Sequence, residues 1–238
     1  MTRRFEELDW QQTPIGDVSL RRRHDPSLDV EVYEVKLGDE YLMSSLFTAA
    51  EIALARLGLA RLPAGPLDVV VGGLGLGYTA HAALQDPRVR ELVVVDYLAA
   101  VIGWHERGLL PLSAALTGDP RCRLVHGDFF ALTAGDTGYD PAAPGRRFDA
   151  VLLDIDHSPE HLLHPGNGEL YTVPGLRRLA AQLCPGGVFA LWSNDPPDGA
   201  FIATLTAVFA GARAEVVTFD NPLQRRQSAN TVYVAYLP

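Results

Sequence analysis

Asp154, Asp156 and His157 stand within four residues of each other, directly after the apolar run Ala150-Val151-Leu152-Leu153. Two carboxylates and an imidazole so placed can hold an amine, or take a proton from one so that its lone pair attacks an electrophilic carbon. A polar loop folded by an Asx turn is the plainer reading of the same residues. His161 and His164 lie close behind, and His157 and His161 are four apart, the spacing of metal ligands on one helical face. Pro159, Pro165 and Gly166 interrupt such a helix and His-Glu-x-x-His is absent, so no metal is assigned.

The second chemical feature is Val69-Val70-Val71-Gly72-Gly73-Leu74-Gly75-Leu76-Gly77. The valines predict a buried strand. Gly72, Gly73, Gly75 and Gly77 then let the backbone turn sharply and approach a ligand closely. Nineteen residues after Gly77 a second apolar run, Leu92 to Val95, ends in Asp96. A carboxylate at that point can accept both ribose hydroxyls of an adenosine, in a sulfonium nucleoside or in NAD alike. A third run, Cys122 to Val125, leads into His126-Gly127-Asp128-Phe129-Phe130. Asp128 there suits the adenine amino group, with a neighbouring ring stacked on the base; a helix N-cap is the alternative for the same residue. Tyr97 and Gly127, beside these acids, and Phe129 complete the cofactor-binding candidates. Tyr171 and Trp192 are candidate pocket walls, with core packing as the alternative.

These residues need a scaffold that brings strand ends to one edge. From Leu67 onward apolar strands alternate with helices near 76–84, 98–108, 170–183 and 198–209, which predicts an α/β, Rossmann-like parallel sheet covered on both faces. Two last strands, 214–219 and 231–236, are joined by a segment with no helical period. So short a link predicts a closing antiparallel pair. That favours a seven-stranded methyltransferase-type sheet with an antiparallel last strand over a dinucleotide-binding domain. Upstream, residues 1–60 read as a small β-rich region with strands at 17–23 and 29–35, a turn at 37–40 and a helix over 47–59. Ala49, Ile52, Ala53 and Leu57 are spaced for that helix's buried face. Residues 61–238 form the expected main domain.

The 238 residues carry 29 acids against 20 bases, for a net charge of −9. No basic footprint for nucleic acid is present; Arg3-Arg4 and Arg21-Arg22-Arg23 are short clusters that read as solvated or salt-bridged strand ends. The two cysteines, Cys122 and Cys184, form no Cys-x-x-Cys and read as reduced thiols. The first residues lack a signal-peptide apolar core and no run approaches a membrane span, so a cytoplasmic protein with no membrane partner is expected. Gly-x-Ser-x-Gly is absent, as is Gly-Lys-[Ser/Thr] after the glycines, which leaves a serine hydrolase and a P-loop ATPase without support.

Several segments together resemble the spermidine/spermine synthase (aminopropyltransferase) family, which shares the S-adenosylmethionine methyltransferase fold. They are V-G-G-L-G-L-G (71–77), V-V-V-D-Y-L-A-A-V-I (93–102), H-G-D-F-F (126–130), F-D-A-V-L-L-D (148–154), L-Y (170–171) and L-C-P-G-G-V-F (183–189). In order and spacing they cover about half the chain. The resemblance implies that Asp96 holds the ribose, Asp128 the adenine, and that Asp154 is the catalytic-loop acid. The cofactor expected is S-adenosylmethionine or its decarboxylated form, and the partners are a small-molecule acceptor such as an amine and a possible second copy in a homodimer.

Departures from the family are specific. Family members typically carry G-G-G-D-G-G where this chain has G-G-L-G-L-G, so Gly75 stands in the acid's place. In the D-x-x-D-P loop His157 takes the second acid position. The glutamine and Tyr-His-Glu that line the family's polyamine pocket are missing from 38–47. A diamine needs carboxylates at both ends, because a buried unpaired ammonium is costly. The expectation is therefore a transferase moving a methyl or aminopropyl group to a nucleophilic acceptor other than putrescine, with methyl transfer favoured. An atypical-acceptor aminopropyltransferase and a non-catalytic nucleoside-binding protein are the alternatives.

Overall fold

The structure, a computed structural model, describes residues 5–238; Arg3 and Arg4 lie outside them. The chain opens with a four-stranded antiparallel sheet, β1 (Phe5–Thr13), β2 (Gly16–Asp25), β3 (Val30–Leu37) and β4 (Glu40–Ser44), paired in sequence order. Arg22 and Arg23 are ion-paired to Glu6 and Glu34 on the neighbouring strands, 2.5 and 2.9 Å away. Helix α1 (Ala49–Ala60) follows. Then come β5 (Leu67–Gly72), α2 (Tyr78–Leu84), β6 (Val89–Asp96), α3 (Ala99–Glu106), α4 (Ser113–Thr117), β7 (Cys122–His126), α5 (Phe129–Ala134) and β8 (Phe148–Leu153). A 3-10 turn (Pro165–Glu169), α6 (Val173–Ala181), β9 (Leu183–Ser193), α7 (Gly199–Thr206), β10 (Gly211–Asn221) and β11 (Arg226–Tyr236) complete the chain.

The large sheet has the order β7-β6-β5-β8-β9-β11-β10. Strands β5 to β9 are parallel to one another, and β11 enters antiparallel between β9 and β10. This is the methyltransferase-type α/β sheet with the closing antiparallel pair that the short last link predicts. Successive strand residues alternate between two cores. Val69, Val71, Leu92 and Val94 face α1 to α4, while Val70, Val93, Val95 and Val151 face the Phe129, Tyr139 and Phe189 side. Both faces are covered, which is why these strands read as unbroken apolar runs.

Helix α1 lies on the large sheet, against β8, β9, β11 and α2. Its buried face is Ala50, Glu51, Leu54, Ala55, Gly58 and Leu59, one step round from the expected Ala49, Ile52, Ala53 and Leu57. The helix is apolar on nearly every side, so period alone does not select a face. Gly58 does: a Cβ there would collide with the Leu152 side chain, so only this face permits the close approach to the sheet.

Strand β1 is tied to α3 by one carboxylate. Asp9 accepts hydrogen bonds from the Trp104 indole N–H at 2.6 Å, from Arg107 at 2.5 Å and from Gln11 at 2.8 Å. Trp104 is fully buried, so its N–H has no water to turn to. Asp9→Ala is expected to lower stability by about 1–3 kcal/mol, the cost of leaving a buried donor unpaired, and urea denaturation measures it.

Candidate functional site: a cleft at the carboxyl edge of the sheet

Strand β5 is the switch point of the sheet, with the chain running to β6 on one side and β8 on the other. Open α/β sheets place ligands at this point. Register sets what meets there. Gly72 pairs with Val95 on one side and with Leu153 on the other. The next residues, Gly73, Asp96 and Asp154, therefore emerge side by side, held by Gly73 N–H to Val95 O at 2.9 Å and Asp154 N–H to Gly72 O at 2.8 Å. They open onto a cleft of about 750 Å³, within the ordinary range of small-molecule sites.

Two glycines make this approach possible. Gly73 has φ +94°, and a Cβ on it would run into the Asp154 carbonyl oxygen. Gly75 has φ +46°, and a Cβ there would strike the Met43 sulfur, which accepts from the Leu76 N–H at 3.0 Å. Met43, on β4, thus occupies the space beside the position where the resembled family carries an acid. Gly72 ends β5 under the Phe129 ring, and Gly77 is the left-handed N-cap of α2. From α3, the His105 Nε2–H donates to the Gly75 carbonyl at 2.9 Å. Burial pushes the His105 pKa down, which keeps the ring neutral in that role.

The Asp96 carboxylate clamps the loop. Oδ2 accepts from the Leu74 N–H and Oδ1 from the Leu98 N–H, each at 2.8 Å. A carboxylate has about four acceptor sites, so both oxygens keep capacity for hydroxyl donors from the cleft, which Asp96 and Tyr97 line. Burial raises the Asp96 pKa, and the backbone donors pull against that rise. This donor and acceptor set, with a loop too tight for any Cβ at Gly73, fits the ribose end of a nucleoside.

Asp154 faces the same cleft and accepts from the Thr79 hydroxyl at 2.6 Å. Opposite it, from α1, stands Glu51, which also lines the cleft and is only 9% exposed. Burial, and then the Asp154 charge, pushes Glu51 up to about 8. Burial pushes Asp154 up to about 6 against the pull of the Thr79 hydroxyl. Both shifts run the same way, so the pair favours sharing one proton between its two carboxyls over ionising both. Glu51 and Thr79 were not among the residues singled out by sequence. The signal available was a lone acid inside the alanine- and leucine-rich 49–60 segment.

The other candidates fall elsewhere. His157 lines the cleft, its Nε2 2.9 Å from Glu40 Oε1. A catalytic role for Asp156 has no geometric support: it is 1% exposed and absent from the cleft wall. Its oxygens accept from the Leu163 N–H, the Asn167 amide and the Tyr171 hydroxyl, each at 2.8 Å, and so fold the loop that follows β8. That is the Asx-type loop role, and it also takes Tyr171 out of the pocket wall. Asp128 caps α5, with Oδ1 accepting from Phe130 and Ala131 at 2.9 and 3.1 Å. It lines a separate hollow of about 250 Å³ on the far side of the 163–167 segment. Phe129 is core, stacked on Tyr139 with ring centroids 4.7 Å apart, and Gly127 joins β6 through its N–H to Asp96 O at 3.0 Å. Neither lines the cleft. Trp192 does. The 157–164 stretch is not helical, so His157 and His161 share no face; among the described residues no three His, Cys, Asp or Glu converge as a metal site.

The comparisons with known proteins give the same fold. The chain superimposes on a spermidine synthase solved with the transition-state analogue AdoDATO, with TM-score 0.74 at 18% identity, covering 98% of this chain and 74% of that one. The spermidine synthase of Thermotoga maritima gives TM-score 0.73 at 17% identity, covering 98% and 73%. The chain has a spermidine synthase-like fold. It is 29% identical over 167 residues to Polyamine aminopropyltransferase 2 of Pseudomonas aeruginosa, covering 65% of this chain and 44% of that protein. It is 27% identical over 164 residues to Putrescine N-methyltransferase 2 of Nicotiana tabacum, covering 67% and 42%. The chain thus spans less than half the length of these curated relatives. No family model matches it.

The buried acid pair sets a pH dependence of stability. Glu51 and Asp154 have folded pKa values above their unfolded ones. From pH 4.5 to about 8 the unfolded chain therefore binds fewer protons at Glu51 than the folded chain, and stability falls as pH rises through that window. Glu51→Gln is expected to flatten this fall, raising the melting temperature over wild type more at pH 8 than at pH 5. Equal shifts at both pH values would contradict it.

Proposed function

We propose that the chain binds a sulfonium nucleoside, S-adenosylmethionine or its decarboxylated form, and directs a group from it to an amine acceptor. The observation that carries this reading is the adjacency of Asp96 and Asp154 across the glycine loop, both facing one cleft at the sheet's switch point. Asp96 would accept the ribose hydroxyls, with Tyr97 and Leu98 as walls. The sulfonium, when bound, supplies a carbon already activated for displacement. What remains for the protein is to orient the acceptor and hold its proton. Asp154 does so: its charge attracts the ammonium, and a pKa raised to about 6 suits a group that must take a proton near neutral pH.

Methyl transfer is the first reading. Gly75 offers no carboxylate to a decarboxylated cofactor's amine, and Met43 fills the adjacent space. Aminopropyl transfer is the second, favoured by the likeness to an aminopropyltransferase. The acceptor is read as an amine with one buried ammonium. Carboxylates meet at the Asp154 side, whereas the projecting tip of the β10–β11 hairpin lines the cleft with Asn221, Gln224, Arg226 and Gln227.

Calorimetry with S-adenosylmethionine, its decarboxylated form, methylthioadenosine and NAD tests the class. The sulfur nucleosides are expected to bind, and binding by NAD alone would sink the reading. Asp96→Ala should abolish nucleoside binding. Asp154→Asn should spare it while lowering turnover by about 10²–10⁴-fold, the usual contribution of a positioned acid–base group. Mass spectrometry of the products distinguishes a methyl from an aminopropyl gain. Putrescine is expected to be a poorer acceptor than monoamines.

A further inference from the structure

Glu51 is an anomaly for helix packing. Its helix face is otherwise Ala50, Leu54, Ala55, Gly58 and Leu59, the surface that meets the sheet. An acid in that row carries a desolvation cost that alanine or leucine would not. The groups acting on it are the Asp154 carboxylate after β8 and, through its phenol, Tyr78 on α2; among the described residues no Lys, Arg or His pairs with it. Its backbone carbonyl lies 3.4 Å from the Thr79 hydroxyl that donates to Asp154, so α1, α2 and β8 converge at this point. One side of the cluster is open, and it opens into the cleft.

We infer that Glu51 and Asp154 form a two-carboxylate subsite for the ammonium group of the acceptor, with Glu51 a specificity-determining residue supplied by α1. This rests on the amine-directed reading above. An ammonium entering between the two acids supplies the cation that the protein itself omits. Its N–H donors satisfy oxygens from both elements, and its charge displaces the proton that the pair otherwise shares, releasing it to solvent. Thr79 keeps the Asp154 oxygen oriented throughout. The subsite also accounts for an amine site in a chain with no acid in its glycine loop: the second carboxylate comes from the helix under the sheet edge instead.

The test is titration calorimetry of the full chain with butylamine and putrescine, with butanol as the uncharged control, at pH 7 in two buffers of different ionisation enthalpy. Wild type is expected to bind amine but not butanol, with net proton release. Glu51→Gln, shown to be folded by its thermal transition, is expected to bind amine about ten- to a hundredfold more weakly, the loss of one charge-assisted hydrogen bond, and without proton release. Glu51→Asp should recover part of the affinity. Gln-variant affinity within twofold of wild type, or a wild type that binds neither amine, would overturn the inference. Titration with S-adenosylmethionine and methylthioadenosine runs in parallel. A wild type that takes amine but neither nucleoside would overturn the transfer reading while upholding the ammonium subsite.

Discussion

The Asp96 carboxylate is the interaction on which the cleft depends. It sits at the end of β6 and accepts one N–H from the glycine loop after β5 and another from the start of α3. Without that acceptor, two backbone donors at a buried strand edge would lack partners, and the loop would have no reason to lie flat against the sheet. The loop's other contacts all presuppose this position. Gly73 passes close over the Asp154 carbonyl, His105 holds the Gly75 carbonyl from below, and Met43 covers Leu76 from the N-terminal sheet. The residue proposed to bind ligand hydroxyls is thus first a structural staple, and its proposed second role would use other lone pairs of the same oxygens.

The electrostatics of the cleft follow from where that staple leaves the neighbouring strand. Parallel register delivers Asp154 beside the loop, and the close approach of α1 through Gly58 delivers Glu51 opposite. Burial raises both pKa values, and the Asp154 charge adds to the rise at Glu51, so the pair resists double ionisation. Elsewhere the protein handles buried acids differently. Asp68 is met by Arg90 and Arg146, at 2.6 and 2.8 Å, and its pKa is lowered. Asp140 is met by Arg123 and Arg146 at 2.6 and 3.2 Å, again with its pKa lowered. Asp96 and Asp156, also buried with raised pKa, are instead met by neutral N–H and O–H donors, whereas the Glu51–Asp154 pair puts a second carboxylate beside the first on the wall of the cleft.

The sheet was legible in the sequence because its strands are buried on both faces and its turns need glycine. Val69–Val71, Leu92–Val95 and Ala150–Leu153 announce themselves by composition, and the acids after them by position. The short 220–230 link carried the antiparallel closure. What stayed hidden depends on three-dimensional packing that no local period encodes. Helix α1 offers apolar residues all round, so the face chosen by Gly58, and with it Glu51, was invisible. Asp156 and Asp128 looked like site residues because they follow strands. Only the fold reveals that Leu163, Asn167 and Tyr171 take up the first, and that the N–H groups of α5 take up one oxygen of the second. Acids at strand ends serve caps and loops as readily as ligands, and spacing alone does not separate the uses.

The parts of the cleft that follow the spermidine synthase-like segments and the parts that depart from them lie on different elements. Asp96, the glycine loop and Asp154 sit on β5, β6 and β8, whose positions are fixed from both sides by neighbouring strands. The remaining walls come from β4, α1 and the tip of the β10–β11 hairpin, through Met43, Glu51, Gln224 and Arg226. Residues 226–230, between the hairpin tip and Thr231, have no pairing with β9, and β4 is an edge strand of the small sheet. β4 and the hairpin tip are constrained on fewer sides, so side chains there can change without disturbing the sheet, while α1 is packed on the sheet and Glu51 sits on its buried face. The strand-borne part of the cleft, including the proposed ribose acceptor Asp96, is therefore bound to the fold, while the walls from β4 and the hairpin tip are freer to vary. A change of acceptor would thus appear first where this chain departs from the family motif, at Met43 beside Gly75.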